Sequence, residues 1–163
     1  MLDAFSRYVV HWELLTSMRA ADVRLVVQAA VERTGTQPQV VTDNGAQFTA
    51  AEFKDLVRRF ALEHIRSRTY HPESNGVVER FHRSTREALR PTPLQNLGQV
   101  RELIARWVGY YNEERLHASL GYLPPAVYYR GDPAPHQAVR QAKLQRARQA
   151  RRQANIAQLT RAA

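Results

Sequence analysis

Two carboxylates in this chain stand where phosphoryl chemistry could be done. Asp43 follows the short apolar run "QVVT" and precedes an Asn-Gly turn, so it falls at the carboxyl end of a predicted strand. Ligands of open α/β sheets bind at such strand ends. Glu79 lies in the first turns of a predicted helix that follows "YHPESNG". If the two groups converge, they form a hard-oxygen site suited to Mg²⁺ or Mn²⁺, ions that keep water and phosphate oxygens as their remaining ligands. Arg83 and Arg86 share the helix face of Glu79, with Arg90 one turn further on. A metal-binding carboxylate beside a ridge of guanidinium groups is the layout that phosphoryl transfer on nucleic acid needs. The same stripe also reads as an ordinary amphipathic helix carrying a Glu79–Arg83 ion pair, and the residues alone leave both readings open.

Other polar groups point less sharply. His64, His71 and His82 have no Cys partners and no zinc-ligand spacing, so no zinc site is expected. Asn112, Arg115 and His117, in "YNEERLH", could reach nucleic acid or brace the helix that carries Glu79. His117 is a general base only in principle, and a two-metal site has no need of one.

These residues must be positioned by one domain with a real core, for which 163 residues suffice. Without cysteine there are no disulfides, which fits a reducing, cytoplasmic compartment. No apolar run is long enough to span a bilayer, and no membrane association is expected. The net charge of +9 is unevenly placed. Residues 136–163 hold seven Arg and Lys and no Asp or Glu, leaving a nearly balanced body. A basic tail on such a body suggests a polyanion, nucleic acid before membrane, although a solvated tail with no target has the same composition.

The element order is strand, helix, strand, helix, strand, helix, helix. "RYVVHWELL" at 7–15 reads as a strand. Val23, Val26, Val27, Ala30 and Val31 mark one face of a helix, and Phe53, Leu56, Val57, Phe60 and Ala61 mark another, opened by a Thr49–Glu52 capping box. "HIRSRTY" reads as a short strand, and the Glu79 helix should pack Val78, Phe81, Ala88 and Leu89 on the sheet. Val100, Leu103, Ile104, Trp107, Val108 and Tyr111 share a face of the next helix, and the tail is helical but loosely packed. Alternating strands and helices predict an α/β sheet.

The strings "VTDNGAQFTAAEF" and "TYHPESNGVVERFHRSTREAL" resemble the catalytic core of retroviral integrases and the related insertion-sequence transposases. There are 35 residues between Asp43 and Glu79, the spacing of the last two acidic residues in that family's D,D-35-E signature. The later "YYNEERLHASLGYLPPAVYY" is similar to the segment that follows the core in these transposases, so the resemblance covers roughly residues 1–130. It implies an α/β, RNase H-like fold, the integrase catalytic core, plus C-terminal helices. It implies DNA transposition or integration by metal-dependent phosphodiester hydrolysis and strand transfer, with Asp43 and Glu79 each holding an Mg²⁺ or Mn²⁺ ion. Tyr70, His71 and Asn75 would contact the DNA end, and Arg83, Arg86 and Arg90 its phosphates. The partners implied are transposon-end and target DNA and further copies of the full-length protein, in a bacterial cell.

The resemblance also places the opening. "LDAFSR" matches the hairpin between the family's second and third strands, so the fold is expected to lack its first strand and most of the second. Asp3 then shapes a turn and is not the family's first catalytic Asp. On this reading the chain is a partial core at 1–92, a helical extension at 93–130 and a basic Arg/Gln/Ala-rich tail at 131–163. It should be inactive alone, because the first carboxylate is missing. The alternative is a non-catalytic transposase remnant or accessory protein that binds DNA through its basic residues.

Overall fold

The computed structural model describes residues 1–67, 76–90 and 96–162. Its elements are α1 (Ala20–Thr34), β1 (Gln39–Thr42), α2 (Ala46–Thr49), α3 (Ala51–Arg59), β2 (Glu63–Arg66), α4 (Gly76–Leu89), α5 (Leu97–Glu113), α6 (Pro125–Tyr129) and α7 (Pro133–Ala162), with a 3₁₀ turn at Ala118–Leu120. Among the described residues no helix is long and apolar enough to cross a membrane.

β1 and β2 pair in parallel, Gln39 opposite Glu63 through Thr42 opposite Arg66. A parallel pair needs a crossover, and α2 and α3 supply it. Val27 and Val31 of α1, Val40 of β1, Phe53 and Leu56 of α3, and Leu62 form one buried cluster, flanked by Phe48, Val57 and Phe60. The helical apolar faces predicted for α1 and α3 are the faces that pack here. Ala61 is the exception. It is exposed, with φ of 49°, because it turns the chain from α3 into β2. The predicted capping box does not form. Thr49 lies within α2 and its hydroxyl donates back to the Ala46 carbonyl, so Ala50 takes the cap position of α3 without a side-chain bond.

A second cluster joins Val9 to Val108 and Tyr111 of α5, with Leu2, Trp12, Phe81, Ile104 and Trp107 packed around it. It corrects two expectations. The first concerns residues 7–15, which form no continuous strand: a single antiparallel bridge links Leu2 to Val9. A β-prone run becomes a strand only where a second backbone completes its ladder, and here the other side of Val9 is taken by a side chain. Asn112 accepts from the Val9 amide (2.8 Å) and donates to the Val9 carbonyl (3.1 Å).

The second correction concerns α4, which rests on α5 and not on the sheet. Phe81 meets the Tyr111 ring edge-on at 5.0 Å, and the Trp107 indole N–H donates to the Thr85 hydroxyl at 3.0 Å. Val78 is 43% exposed while Val77 turns inward, because the docking stripe runs along the Phe81 and Thr85 side of the helix. Asp3 does shape its turn: its carboxylate accepts from the Ser6 amide and hydroxyl, and its backbone bonds Tyr8 and Arg7.

Candidate active site

Asp43 is exposed at the carboxyl end of β1. Its neighbourhood is tightly tied. The Thr42 hydroxyl donates to the Asp43 carbonyl (2.9 Å) and lies 2.9 Å from His64 Nε2 on β2, while the Ser67 amide donates to the Thr42 carbonyl (2.8 Å). Asn44 Nδ2 donates to the Ser67 carbonyl (2.9 Å), pinning the two strand ends together. His64 leans on the buried Phe53 ring at 5.1 Å. Burial first, then the Arg66 cation, lowers its pKa and favours the neutral ring. Asp43 Oδ1 accepts from the Gly45 amide (2.9 Å), an Asx turn that orients the carboxylate of this exposed residue. Asn44 and Gly45 therefore shape the turn, as their types predict.

Glu79 is exposed in the first turn of α4. The Glu79–Arg83 ion pair of the amphipathic reading does not form: among the described residues the ion pairs are Arg58–Asp55, Arg101–Glu13 and Arg130–Glu113. Arg83, Arg86 and Arg90 are all exposed along the same helix and its first following residue. Tyr70, His71 and Asn75 lie outside the described residues. Among the described residues no group of three or more His, Asp or Glu comes together. Each carboxylate thus rests on its own core cluster, Asp43 on the first and Glu79 on the second, and residues 68–75 connect them.

Arg115 and His117 brace α4. Arg115 Nη2 donates to Ser84 of α4 (3.4 Å), Nη1 lies 3.2 Å from His117 Nε2, and the guanidinium sits 5.6 Å over the Tyr111 ring. Guanidinium can only donate, so Nε2 accepts and the neutral ring carries its proton on Nδ1. Burial first, then the Arg115 and Arg7 cations, lowers the His117 pKa to about 4. A ring that is neutral near pH 7, with its lone pair engaged, is a strut and not a base. The unfolded chain, with an ordinary His pKa near 6.5, binds the proton that the fold excludes. Stability is therefore full above about pH 6.5 and lost as pH falls toward 4, by on the order of 1–2 kcal/mol after screening of a partly exposed ring. Thermal unfolding across that window should show the loss, and His117→Gln should flatten this part of it. An unchanged slope in the variant would assign the loss to other groups.

The fold is the RNase H-like fold of integrase catalytic cores. Two family models, each described as "Integrase core domain", match residues 1–72 and 61–125. The chain belongs to the integrase core domain family. It is 38% identical over 107 residues to an uncharacterised 39.2 kDa protein of insertion element IS476 from Xanthomonas euvesicatoria, covering 65% of this chain and 31% of that one. It is 27% identical to the transposase of insertion sequence element IS904 from Lactococcus lactis, covering 76% and 51%. It is 31% identical over 139 residues to transposase InsD of insertion element IS2D from Escherichia coli, covering 79% and 46%. The chain thus spans between about a third and a half of these relatives. Two solved structures share the fold. One is the catalytic core domain of BIV integrase (TM-score 0.57, 22% identity, 72% of this chain and 74% of that one). The other is the HTLV-2 integrase catalytic core in complex with magnesium (TM-score 0.57, 18% identity, 71% and 74%).

Proposed function

We propose that this chain supplies part of the catalytic core of an insertion-sequence transposase. In this reading Asp43 and Glu79 act in metal-dependent phosphodiester hydrolysis and strand transfer at DNA ends. The observation that carries the reading is the state of the two carboxylates. In a family core, at the family's spacing, both are exposed oxygen donors, among the described residues neither is in an ion pair, and Asp43 is held by an Asx turn at a strand end. Their chemistry fits a hard divalent cation, and Asp43 and Glu79 are the residues that would hold it. Bound Mg²⁺ or Mn²⁺ would supply Lewis acidity at the phosphodiester.

The remaining work falls to side chains of this chain. Arg83, Arg86 and Arg90 would neutralise and position the DNA backbone. Tyr70, His71 and Asn75, on the segment between the two carboxylates, would contact the DNA end. His64 and Asn44 keep the β1 and β2 ends together and so fix the Asp43 backbone. DNA ends and target, assembly with further copies, and a cytoplasmic site of action all belong to this proposal.

Mn²⁺ titration followed by NMR tests the site without requiring turnover. Paramagnetic broadening should centre on Asp43, Gly45 and the first turn of α4. Asp43→Asn should remove it while leaving affinity for duplex DNA unchanged. Broadening that ignores both carboxylates, or survives the substitution, would overturn the assignment. The alternative, a DNA binder without catalysis, also predicts that Asp43→Asn leaves binding intact, but with no metal response in either protein.

A further inference from the structure

Helix α7 is the largest feature that the core chemistry leaves unused. Its first turns are anchored: Gln137 donates to the Tyr128 hydroxyl at 2.6 Å, and Arg140 lies 4.8 Å over the Tyr122 ring. From Gln141 to Gln158 every residue is exposed. Its large apolar residues in this stretch, Leu144 and Ile156, lie on different sides and form no continuous apolar stripe to dock on the body. None of the ion pairs among the described residues involves α7.

The cations are not spread evenly. At about 100° per residue, Gln145, Gln149 and Gln153 recur every fourth position along one uncharged stripe, joined by Ala138, Ala142 and, toward its far end, Ile156. Arg148 and Arg152 flank that stripe on one side and Lys143 and Arg146 on the other, while Arg151 lies on the back. A membrane-surface helix needs an apolar face, and the stripe is mostly Gln and Ala, with Ile156 its one large apolar residue among the described side chains. A narrow uncharged edge between two cationic flanks instead fits a groove with anionic walls. The B-DNA major groove is about 12 Å wide, room for a helix about 10–12 Å across. The A-form RNA major groove is too deep and narrow for such entry.

The geometry points to α7 as a duplex-DNA-binding arm that lies in the major groove with its Gln stripe inward and its flanking cations on the phosphates of both walls. This rests on the reading of the chain as a transposase core only in the choice of DNA as the polyanion. α7 would add affinity for duplex DNA to that of the Arg83, Arg86 and Arg90 stripe, separately from the carboxylates.

Fluorescence-anisotropy titrations of the whole chain with a labelled duplex of arbitrary sequence, over a range of salt, test it. K143Q/R146Q/R148Q/R152Q should reduce the slope of log affinity against log salt by up to about 3.6, or 0.9 per lost phosphate contact. Near physiological salt this corresponds to a loss of about two to three orders of magnitude in affinity. R151Q should move the slope by far less than 0.9. Gln is a good helix former and the positions are exposed, so circular dichroism and thermal unfolding of the body should not change. The proposal is overturned if the quadruple variant binds like the parent, or if R151Q costs as much as R148Q. It is also overturned if anionic vesicles or duplex RNA bind as tightly as duplex DNA. Asp43→Asn in the same assay separates the two proposals. Loss of its metal response alone bears on the catalytic reading, and loss of DNA affinity in the α7 variant bears on this one.

Discussion

Phe53→Ala is expected to lower the unfolding free energy by about 3–5 kcal/mol, the range for deleting a buried aromatic side chain. Phe53 is 0% exposed and lies among Val27, Val31, Val40, Leu56 and Leu62, so α1, β1, α3 and the residue that leads into β2 all contribute to its pocket. Phe48 meets its ring edge-on at 5.2 Å and His64 at 5.1 Å. Truncation leaves a cavity that four elements cannot close together without moving β1 against β2. The damage should also reach the site, because His64 bonds Thr42 and Thr42 bonds the Asp43 backbone. Urea denaturation should show the midpoint falling at constant slope, and amide exchange of β1 should accelerate. A loss below about 1 kcal/mol would mean that the pocket collapses around the smaller side chain and that this cluster does not hold the strands.

Asn112→Ala should cost about 2–6 kcal/mol for a different reason. Val9 faces Leu2 in the hairpin bridge, but its own N–H and C=O point the other way and are satisfied by the Asn112 amide alone. Asn112 is 5% exposed and Val9 is 4% exposed, so water is poorly placed to substitute. Losing the fork strands two buried backbone groups at about 1–3 kcal/mol each. Asn112→Asp is the sharper control. It keeps an acceptor for the Val9 amide but sets an anionic oxygen against the Val9 carbonyl, so it should be no better than Ala. Hydrogen exchange at the Val9 amide reads the effect directly. If Asn112→Ala leaves that amide protected, the fork is not what satisfies it.

The readable and unreadable parts of this chain divide along physical lines. The faces of α1, α3 and α5 were legible because amphipathic periodicity records which side of a helix is buried, whatever buries it. β1 was legible as a short apolar run ending in a turn. Residues 7–15 misled because β-propensity describes a surface able to pair and not the partner that will do so. Asn112, 103 residues away in sequence, takes part of a strand's place, and no local pattern announces it. The docking of α4 was misread for a related reason: periodicity marks an inner face without naming its neighbour, and aromatic contacts from α5 claimed it.

Sequence by itself determined the family, through the types and spacing of Asp43 and Glu79, and the basic character of the last helix. Both are properties of which residues are present and how far apart they lie along the chain. The tertiary structure alone decided that Glu79 forms no ion pair with Arg83, that His64 and Asn44 lock the strand ends behind Asp43, and that Arg115 and His117 brace α4 against α5. Those outcomes depend on distances between residues remote in sequence, which only packing sets.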